Sequence, residues 1–339
     1  MDRRSYRITD AGSLNNLVLT TEKIGAPSED EVSVSVKAIG LNFADVFTIF
    51  GLYKAAPKRD FIPGLEFSGV VTDCGKNVSD LSAGDRVMGS IRFGSYTTHL
   101  NIDRRYVTEI PEGWTYEEGA AFIVQALTAY YALIPLGNIT KNQTVLIHSA
   151  AGGVGIYANR IAKKFSAFTI GTIGRPNKAA LLKSEGYDAV IVRDSEFRKA
   201  LAEKLDGRKL DLVLDAVGGR VQKESFDFLS TTGRLVAYGL SQFASPGKRP
   251  NYFKLAVNFL RMPRYQTLTL IESNKSVLGF NLIWLYDRVD LLKTMLDEIQ
   301  SFQLAKPYVG MTFPFEKLKD AVTAFQSGNT TGKVVVTVN

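Results

Sequence analysis

The chain has 339 residues, more than one ordinary hydrophobic core serves, so two domains are expected. Hydrophobic residues make up 45% and charged residues 22%, which excludes bulk disorder and leaves material for a sizeable core. The formal charge of +7 suits a protein that handles anions, yet no long Lys/Arg run occurs, against a dedicated nucleic-acid tail.

The first residues, MDRRSYRITDAG, are polar and lack the apolar middle of a signal peptide. The single cysteine, Cys74, excludes an intramolecular disulfide and fits a cytoplasmic location. From residue 31, EVSVSVKAIGLN alternates apolar and polar side chains as a half-buried strand does. FSGVVTDCG, SAGDRVMGS and GSYTTHLNI follow as short β runs separated by Gly and Asp turns, so this third reads as an antiparallel, barrel-like domain. Residues 119–137, GAAFIVQALTAYYALIPLG, carry no charge, but they contain Gln125, Thr128 and Pro135 and barely reach spanning length. They are expected as a buried helix at a domain junction, with no transmembrane segment in the chain.

From Thr144 the texture changes to strands alternating with helices: TVLIH, GGVGIYANRIAKK, AFTIGTI, NKAALLKSEG, AVIV, FRKALAEKL, LDLVLDAVG, QKESFDFLS and GRLVAYG. Continuous apolar strands with amphipathic helices between them indicate a doubly wound parallel sheet, an α/β fold class. A basic and aromatic segment, 242–265, then has four open readings: a substrate lid, a dimer edge, a lipid-facing surface or an ordinary capped helix. TLTLI and VLGFNLIWLY are expected to resume β structure. The tail, MTFPFEKLKDAVTAFQSGNTTGKVVVTVN, is expected to give a helix and a last strand that return to the first domain, making the parallel-sheet domain an insertion.

Within TVLIHSAAGGVGIYANRIAKK, residues Gly153-Val154-Gly155-Ile156-Tyr157-Ala158 fit G-x-G-x-x-[G/A] directly between a strand and a helix. Such glycines permit a tight turn, bring backbone to a pyrophosphate at the helix start, and let helix and sheet pack closely. Ala151, Gly152, Gly153, Val154 and Gly155 are therefore candidate cofactor-binding residues, with Gly218, Tyr238 and Gly239 at the ends of later strands. NAD-binding folds usually place an acid at the end of the second strand, about 20 residues on. Here that place reads GTIGRPNK, with Gly174, Arg175 and Lys178 and no carboxylate; Arg193 follows the next strand. Cations in place of the acid suit a 2′-phosphate, so NADPH is favoured over NADH.

With these residues placed, the chain resembles the zinc-independent medium-chain dehydrogenase/reductase superfamily, in particular the quinone oxidoreductases. The motifs are GLNFADVFTIFGLY (40–53), FIPGLEFSGVV (61–71), GDRV (84–87), LTAYYAL (127–133), HSAAGGVG (148–155) and the closing GKVVVTV. The middle of the chain, from YGLSQF to NLIWL, is most similar to the vesicle amine transport protein homologues. Enoyl reductase modules of polyketide synthases look similar through the glycine loop but fit that middle less well. The resemblance implies a GroES-like β-barrel catalytic domain (1–122, completed by 307–339) plus a Rossmann domain (123–306), with the active site between them. It also implies hydride transfer from NADPH to a quinone or an α,β-unsaturated carbonyl, usually in a homodimer. By position, Asn42 and Tyr53 correspond to the family's cleft asparagine and tyrosine, Thr128 lies by the cofactor's ribose-phosphate, and Lys178 by its 2′-phosphate. Where this chain has Arg193, the family often has Tyr.

The alcohol-dehydrogenase relatives hold catalytic zinc with Cys and a Gly-His-Glu motif. This chain reads Gly64-Leu65-Glu66 there and holds only Cys74, His99 and His148 in all, too few soft or imidazole ligands for the usual tetrahedral sites, so no metal is expected. His148 is expected to pack beside the glycine loop. In the main reading Tyr53 donates to the developing oxyanion or supplies a proton, and Asn42 orients nicotinamide or substrate. A non-catalytic NADPH-binding sensor or interaction protein and an enoyl reductase are the alternatives, and RNA binding is the remotest reading.

Overall fold

The computed structural model describes residues 1–244 and 246–339; Ser245, inside the basic and aromatic segment, lies outside the described residues. Two large sheets carry the fold. The first has seven strands, with Val309–Pro314, Lys333–Thr337, Glu31–Gly40, Glu66–Cys74, Arg86–Ser90 and Val107–Glu109 side by side and His99–Asp103 pairing with Glu31–Gly40. Every pairing here is antiparallel except that of Val309–Pro314 with Lys333–Thr337. The chain's last strand therefore sits inside this sheet, Val335 opposite Gly40, and Gly40 lies opposite Glu66 on its other side.

The second sheet has six parallel strands in the spatial order Ala189–Val192, Phe168–Ile173, Thr144–Ile147, Leu210–Asp215, Leu229–Ala237, Ser276–Gly279. Numbered along the chain this is 3-2-1-4-5-6, so the order reverses between Thr144–Ile147 and Leu210–Asp215, where a crevice opens beyond the strand ends. Its strands are buried on both faces: Val145, Ile147, Leu212 and Leu214 join one core, Leu146 and Val213 another. That is why TVLI reads as an unbroken apolar run.

The uncharged junction segment forms helices Tyr116–Gly119 and Ile123–Tyr131 followed by a π-helical turn, Ala132–Leu136, around Pro135. Among the described residues the run Tyr116–Leu136 alone is long and apolar enough to cross a membrane, and 72% of its most apolar window is buried inside the protein.

Two expectations are corrected. TLTLI is not a strand: Thr267–Ser273 is a helix, closed by Asn274 in the left-handed region (φ 49°). The sixth sheet position is filled instead by Ser276–Gly279, and VLGFNLIWLY leaves the ladder after Gly279 for a 3₁₀ turn, Leu282–Leu285. Alternation over five residues cannot separate the two periods, and here Leu270 packs inward while Leu268 and Ile271 stay exposed, a helical spacing. The polar N-terminus is also ordered, as the strand Asp2–Ile8 pairing with Leu17–Lys23.

Candidate active site

A cavity of 1440 Å³ runs between the two sheets' units. One wall is the glycine loop. Strand Thr144–Ile147, with all four side chains buried, ends in Ser149–Gly152, and helix Gly153–Lys164 starts with Gly152 as its N-cap. The helix comes so near the loop that a Cβ on Gly155 would stand 2.6 Å from the Ala150 Cα, and one on Gly153 would stand 2.7 Å from Gln125 Oε1. At Gly155 the crowding atoms are backbone and only a glycine leaves room, whereas at Gly153 the Gln125 side chain would have to shift. The unpaired N–H groups of the helix's first turn are thereby presented to the cavity, a site for an anion.

Ala151, Gly152, Gly153, Val154, Gly155, Thr128, Gly174, Lys178, Arg193, Tyr238 and Gly239 all line this cavity. Gly218 does not. It lies behind the wall at φ 83°, where its N–H and that of Val217 donate to the buried Asp215 carboxylate, and Ala216 and Gln222 face the cavity instead. Its positive φ answers a turn and not a ligand.

The basic end of the cavity is partly tied up. Lys178 Nζ donates to the Gly328 and Thr330 carbonyls at 2.7 and 2.6 Å. Burial, with Arg193 and Arg175 nearby, lowers its pKa. Arg193 Nη1 donates to Thr172 Oγ1 at 2.8 Å and to the Thr172 carbonyl at 3.2 Å. Lys178 keeps one N–H and Arg193 its second amino group. Arg175, beside them, is exposed and its guanidinium makes no hydrogen bond or ion pair among the described residues, which leaves it the freest cation at this end. His148 is fully buried between Thr172 Oγ1 (2.8 Å) and Ser225 Oγ (2.9 Å), and burial pushes its pKa well down, so it is a packed neutral imidazole.

The opposite end has a floor of buried polar groups that sequence reasoning found only in part. Asn42 sits at the start of helix Phe43–Ile49 and is 6% exposed. Its Oδ1 accepts from Gln125 Nε2 at 2.7 Å and Lys333 Nζ at 2.8 Å, while its Nδ2 donates to Glu66 Oε1 at 2.9 Å. Lys333 Nζ also donates to Glu66 Oε1, a buried ion pair, and Glu66 Oε2 accepts from the Val124 N–H at 3.2 Å. Lys333 and Glu66 meet across the strand between them because Gly40 has no side chain: a Cβ there would lie 2.8 Å from Lys333 Cε and 3.0 Å from Glu66 Cγ. Tyr53 lines the cavity and donates to Asn281 Oδ1 at 2.8 Å, and burial pushes its phenol up to about 12. Phe43, Phe47 and Phe325 give this end an apolar wall.

Behind Asn42, the Asp45 carboxylate accepts from the Asn42 N–H (2.8 Å) and from Tyr96 OH (3.0 Å). Burial raises its pKa to about 7, against the opposing effect of these bonds and of Lys333. An acid held above its unfolded range, about 4, stabilises the fold most when protonated in both states, and that stability is lost as pH rises from about 4 through 7. The expected result is that the melting temperature of Asp45→Asn gains on wild type as pH rises across that window. A difference that stays constant from pH 4.5 to 7.5 refutes it.

Residues 28–117 match the alcohol dehydrogenase GroES-like domain, and residues 186–336 match the zinc-binding dehydrogenase family. Among curated proteins, the synaptic vesicle membrane protein VAT-1 homolog of Danio rerio is 32% identical over 98% of this chain and 70% of its own length. A reducing polyketide synthase of Hypomyces subiculosus is 33% identical over 93% of this chain, which spans 13% of that much longer protein. Among solved structures, Escherichia coli quinone oxidoreductase complexed with NADPH superposes with a TM-score of 0.83 at 26% identity, covering 99% of this chain and 100% of that one. Among the described residues, no three His, Cys, Asp or Glu side chains gather in a group able to hold a metal ion.

Proposed function

The chain belongs to the medium-chain dehydrogenase/reductase superfamily, and from that premise we propose that it is an NADPH-dependent reductase of quinones or α,β-unsaturated carbonyls that works without a metal. One observation carries the reading. A single cavity joins the glycine loop, a strand end with cations and no acid, and an apolar cleft that ends on a hydrogen-bonded floor.

The residues fit the cofactor. At the helix start, Gly152, Gly153 and Gly155 carry no side chain where a pyrophosphate would lie. Arg175, Lys178 and Arg193 surround the place where a 2′-phosphate would project, and Thr128 stands on the neighbouring helix. The bound cofactor supplies the hydride. The chain's own part is to hold the acceptor between the aromatic wall and the floor, to keep bulk water out, and to meet the charge that develops on the acceptor oxygen. Tyr53 is placed to donate there once its bond to Asn281 is given up. Zinc chemistry has no donor set to draw on: His148 is spent on Thr172 and Ser225, and Cys74 lies on the strand Glu66–Cys74 outside the cavity lining.

The same reading makes the protein cytoplasmic and homodimeric. Two others remain. The likeness to the solved CurK enoyl reductase, with a TM-score of 0.84 at 25% identity, favours an enoyl reductase, which differs only in its acceptor. The full use of Asn42's amide by its neighbours favours a non-catalytic NADPH-binding protein, since that residue offers nothing to a substrate as it stands.

The test is oxidation of NADPH and NADH with a panel of quinones and enones. Turnover with NADPH preferred supports the reading; tight NADPH binding without turnover of any acceptor sinks it in favour of the binding protein. Arg175→Ala is expected to raise KM for NADPH by about 10-fold, the loss of one charge-assisted bond, and to leave KM for NADH unchanged. An equal rise for both cofactors would show that Arg175 does not read the 2′-phosphate.

A further inference from the structure

The floor of the cleft holds one donor that nothing has claimed. Counting hydrogens residue by residue identifies it. Asn42 gives its amide hydrogens to Glu66 and the Gly40 carbonyl, and its oxygen already accepts two bonds. Gln125 directs its amino group at Asn42 and Glu66. Tyr53 has one hydrogen, given to Asn281, and Asp45 is turned toward the Asn42 backbone and Tyr96. Lys333 is different. An ammonium has three hydrogens and no acceptor. Two go to Asn42 Oδ1 and Glu66 Oε1, and the third has no acceptor among the described residues, while Lys333, 3% exposed, is among the residues that line the cavity.

Resting on the reductase reading above, we propose that the Lys333 ammonium is a catalytic residue: its third N–H bonds the acceptor oxygen that becomes negative during reduction and then passes that oxygen its proton.

Three features support this placement. Lys333 follows Gly332, whose N–H donates to the Ala151 carbonyl at 2.7 Å and which forms a ladder bridge to Gly152, so the Lys333 backbone is anchored one residue from a contact with the glycine loop. An acceptor oxygen bound there lies within reach of the same cavity that takes the cofactor. Lys333 is 3% exposed and the cleft beside its polar partners is walled by Phe43, Phe47 and Phe325, and a fixed cation withdrawn from bulk solvent stabilises developing charge far better than one in water. Burial lowers the Lys333 pKa, and Glu66 opposes that shift while holding the ammonium in place. The charged and titratable groups facing it are Glu66 on its own sheet, Asp45 on helix Phe43–Ile49 with Tyr96 behind, and Tyr53 across the cleft.

The step balances. The acceptor carbon takes a hydride from the reduced cofactor, forming a C–H bond while the carbonyl π pair, through the conjugated system, ends on oxygen. One Lys333 N–H bond breaks as that oxygen takes the proton. The neutral amine is reprotonated from water, and the acceptor has gained two electrons and two hydrogens. Because the ammonium is the working form, kcat declines as pH rises through the lowered Lys333 pKa.

The experiment compares wild type with two variants. Lys333→Met/Glu66→Gln removes both charges, so no buried charge is left unpaired. Lys333→Arg keeps the charge and the pairing but cannot release a proton near neutral pH. Melting temperature, the Kd for NADPH, kcat with the acceptor panel and the kcat–pH profile are measured for each. The expected result is melting and NADPH affinity close to wild type, kcat lower by about 100-fold or more, and loss of the high-pH decline. Either variant retaining wild-type kcat with its pH profile overturns the proposal. Loss of NADPH binding in both variants also overturns it, by making Lys333 a cofactor ligand or a structural residue. If wild type itself binds NADPH and turns over no acceptor, the reductase reading falls and takes this step with it. That failure is visible in the wild type alone.

Discussion

Glu66→Ala is expected to lower the unfolding free energy by about 3–5 kcal/mol, the cost of leaving a buried charge without its partner. Lys333 is 3% exposed and has no other carboxylate within hydrogen-bond reach, so the ammonium is stranded when Glu66 is removed. The damage spreads, because Asn42 Nδ2 and the Val124 N–H lose the same acceptor. Chemical denaturation of the folded protein measures this as a shift of the midpoint with little change in slope. The neutral pair Lys333→Met/Glu66→Gln is expected to lose far less, since the penalty belongs to the unpaired charge and not to the absence of the ion pair. A Glu66→Ala loss under about 1 kcal/mol would mean that water reaches Lys333 and that the floor is not sealed.

Gly155→Val is expected to weaken NADPH binding by at least 100-fold while the protein stays folded. The new Cβ would lie 2.6 Å from both the Ala150 Cα and carbonyl oxygen and 2.8 Å from its carbonyl carbon. All three are backbone atoms, so no rotamer change relieves the clash. Helix Gly153–Lys164 must move off the loop, taking its free N–H groups away from the pyrophosphate position. Calorimetric titration with NADPH reads the loss, and circular dichroism reports that the helices remain. Binding within about 10-fold of wild type would show that the cofactor does not rely on this helix start.

The parts of the fold that were legible in the sequence are those dictated locally. Val145, Leu146 and Ile147 run apolar without a break because both faces of the strand are covered, and Gly155 answers a contact with Ala150 five positions before it. TLTLI misled because Leu268 and Ile271 are exposed, so alternation in sequence did not report which side chains are inside. The N-terminal strand went unread because Tyr6 and Ile8 alone carry its apolar face among arginines. Asn42 and Tyr53 became visible by resemblance, but what surrounds Asn42 did not. Its partners lie 24, 83 and 291 positions away, and no local pattern links them. A signal was present all the same: Glu66 and Lys333 each head an apolar strand and are each almost wholly buried. A charge at such a place asks for an opposite one, but only the register across Gly40 identifies it.

That register also constrains how the protein is made. Strand Lys333–Thr337 lies between Val309–Pro314 and Glu31–Gly40, in the middle of its sheet and not at the rim. On the ribosome, the six-stranded sheet, drawn from residues 144–279, is available to fold while the tail is still being synthesised. The seven-stranded sheet has a gap until residues 333–337 leave the exit tunnel, and for all that time Glu66 waits without the counter-charge of Lys333. Closure of that sheet and neutralisation of the cleft floor are therefore one late event in biosynthesis. A nascent chain stalled short of Lys333 can present a finished nucleotide-binding sheet but no sealed cleft.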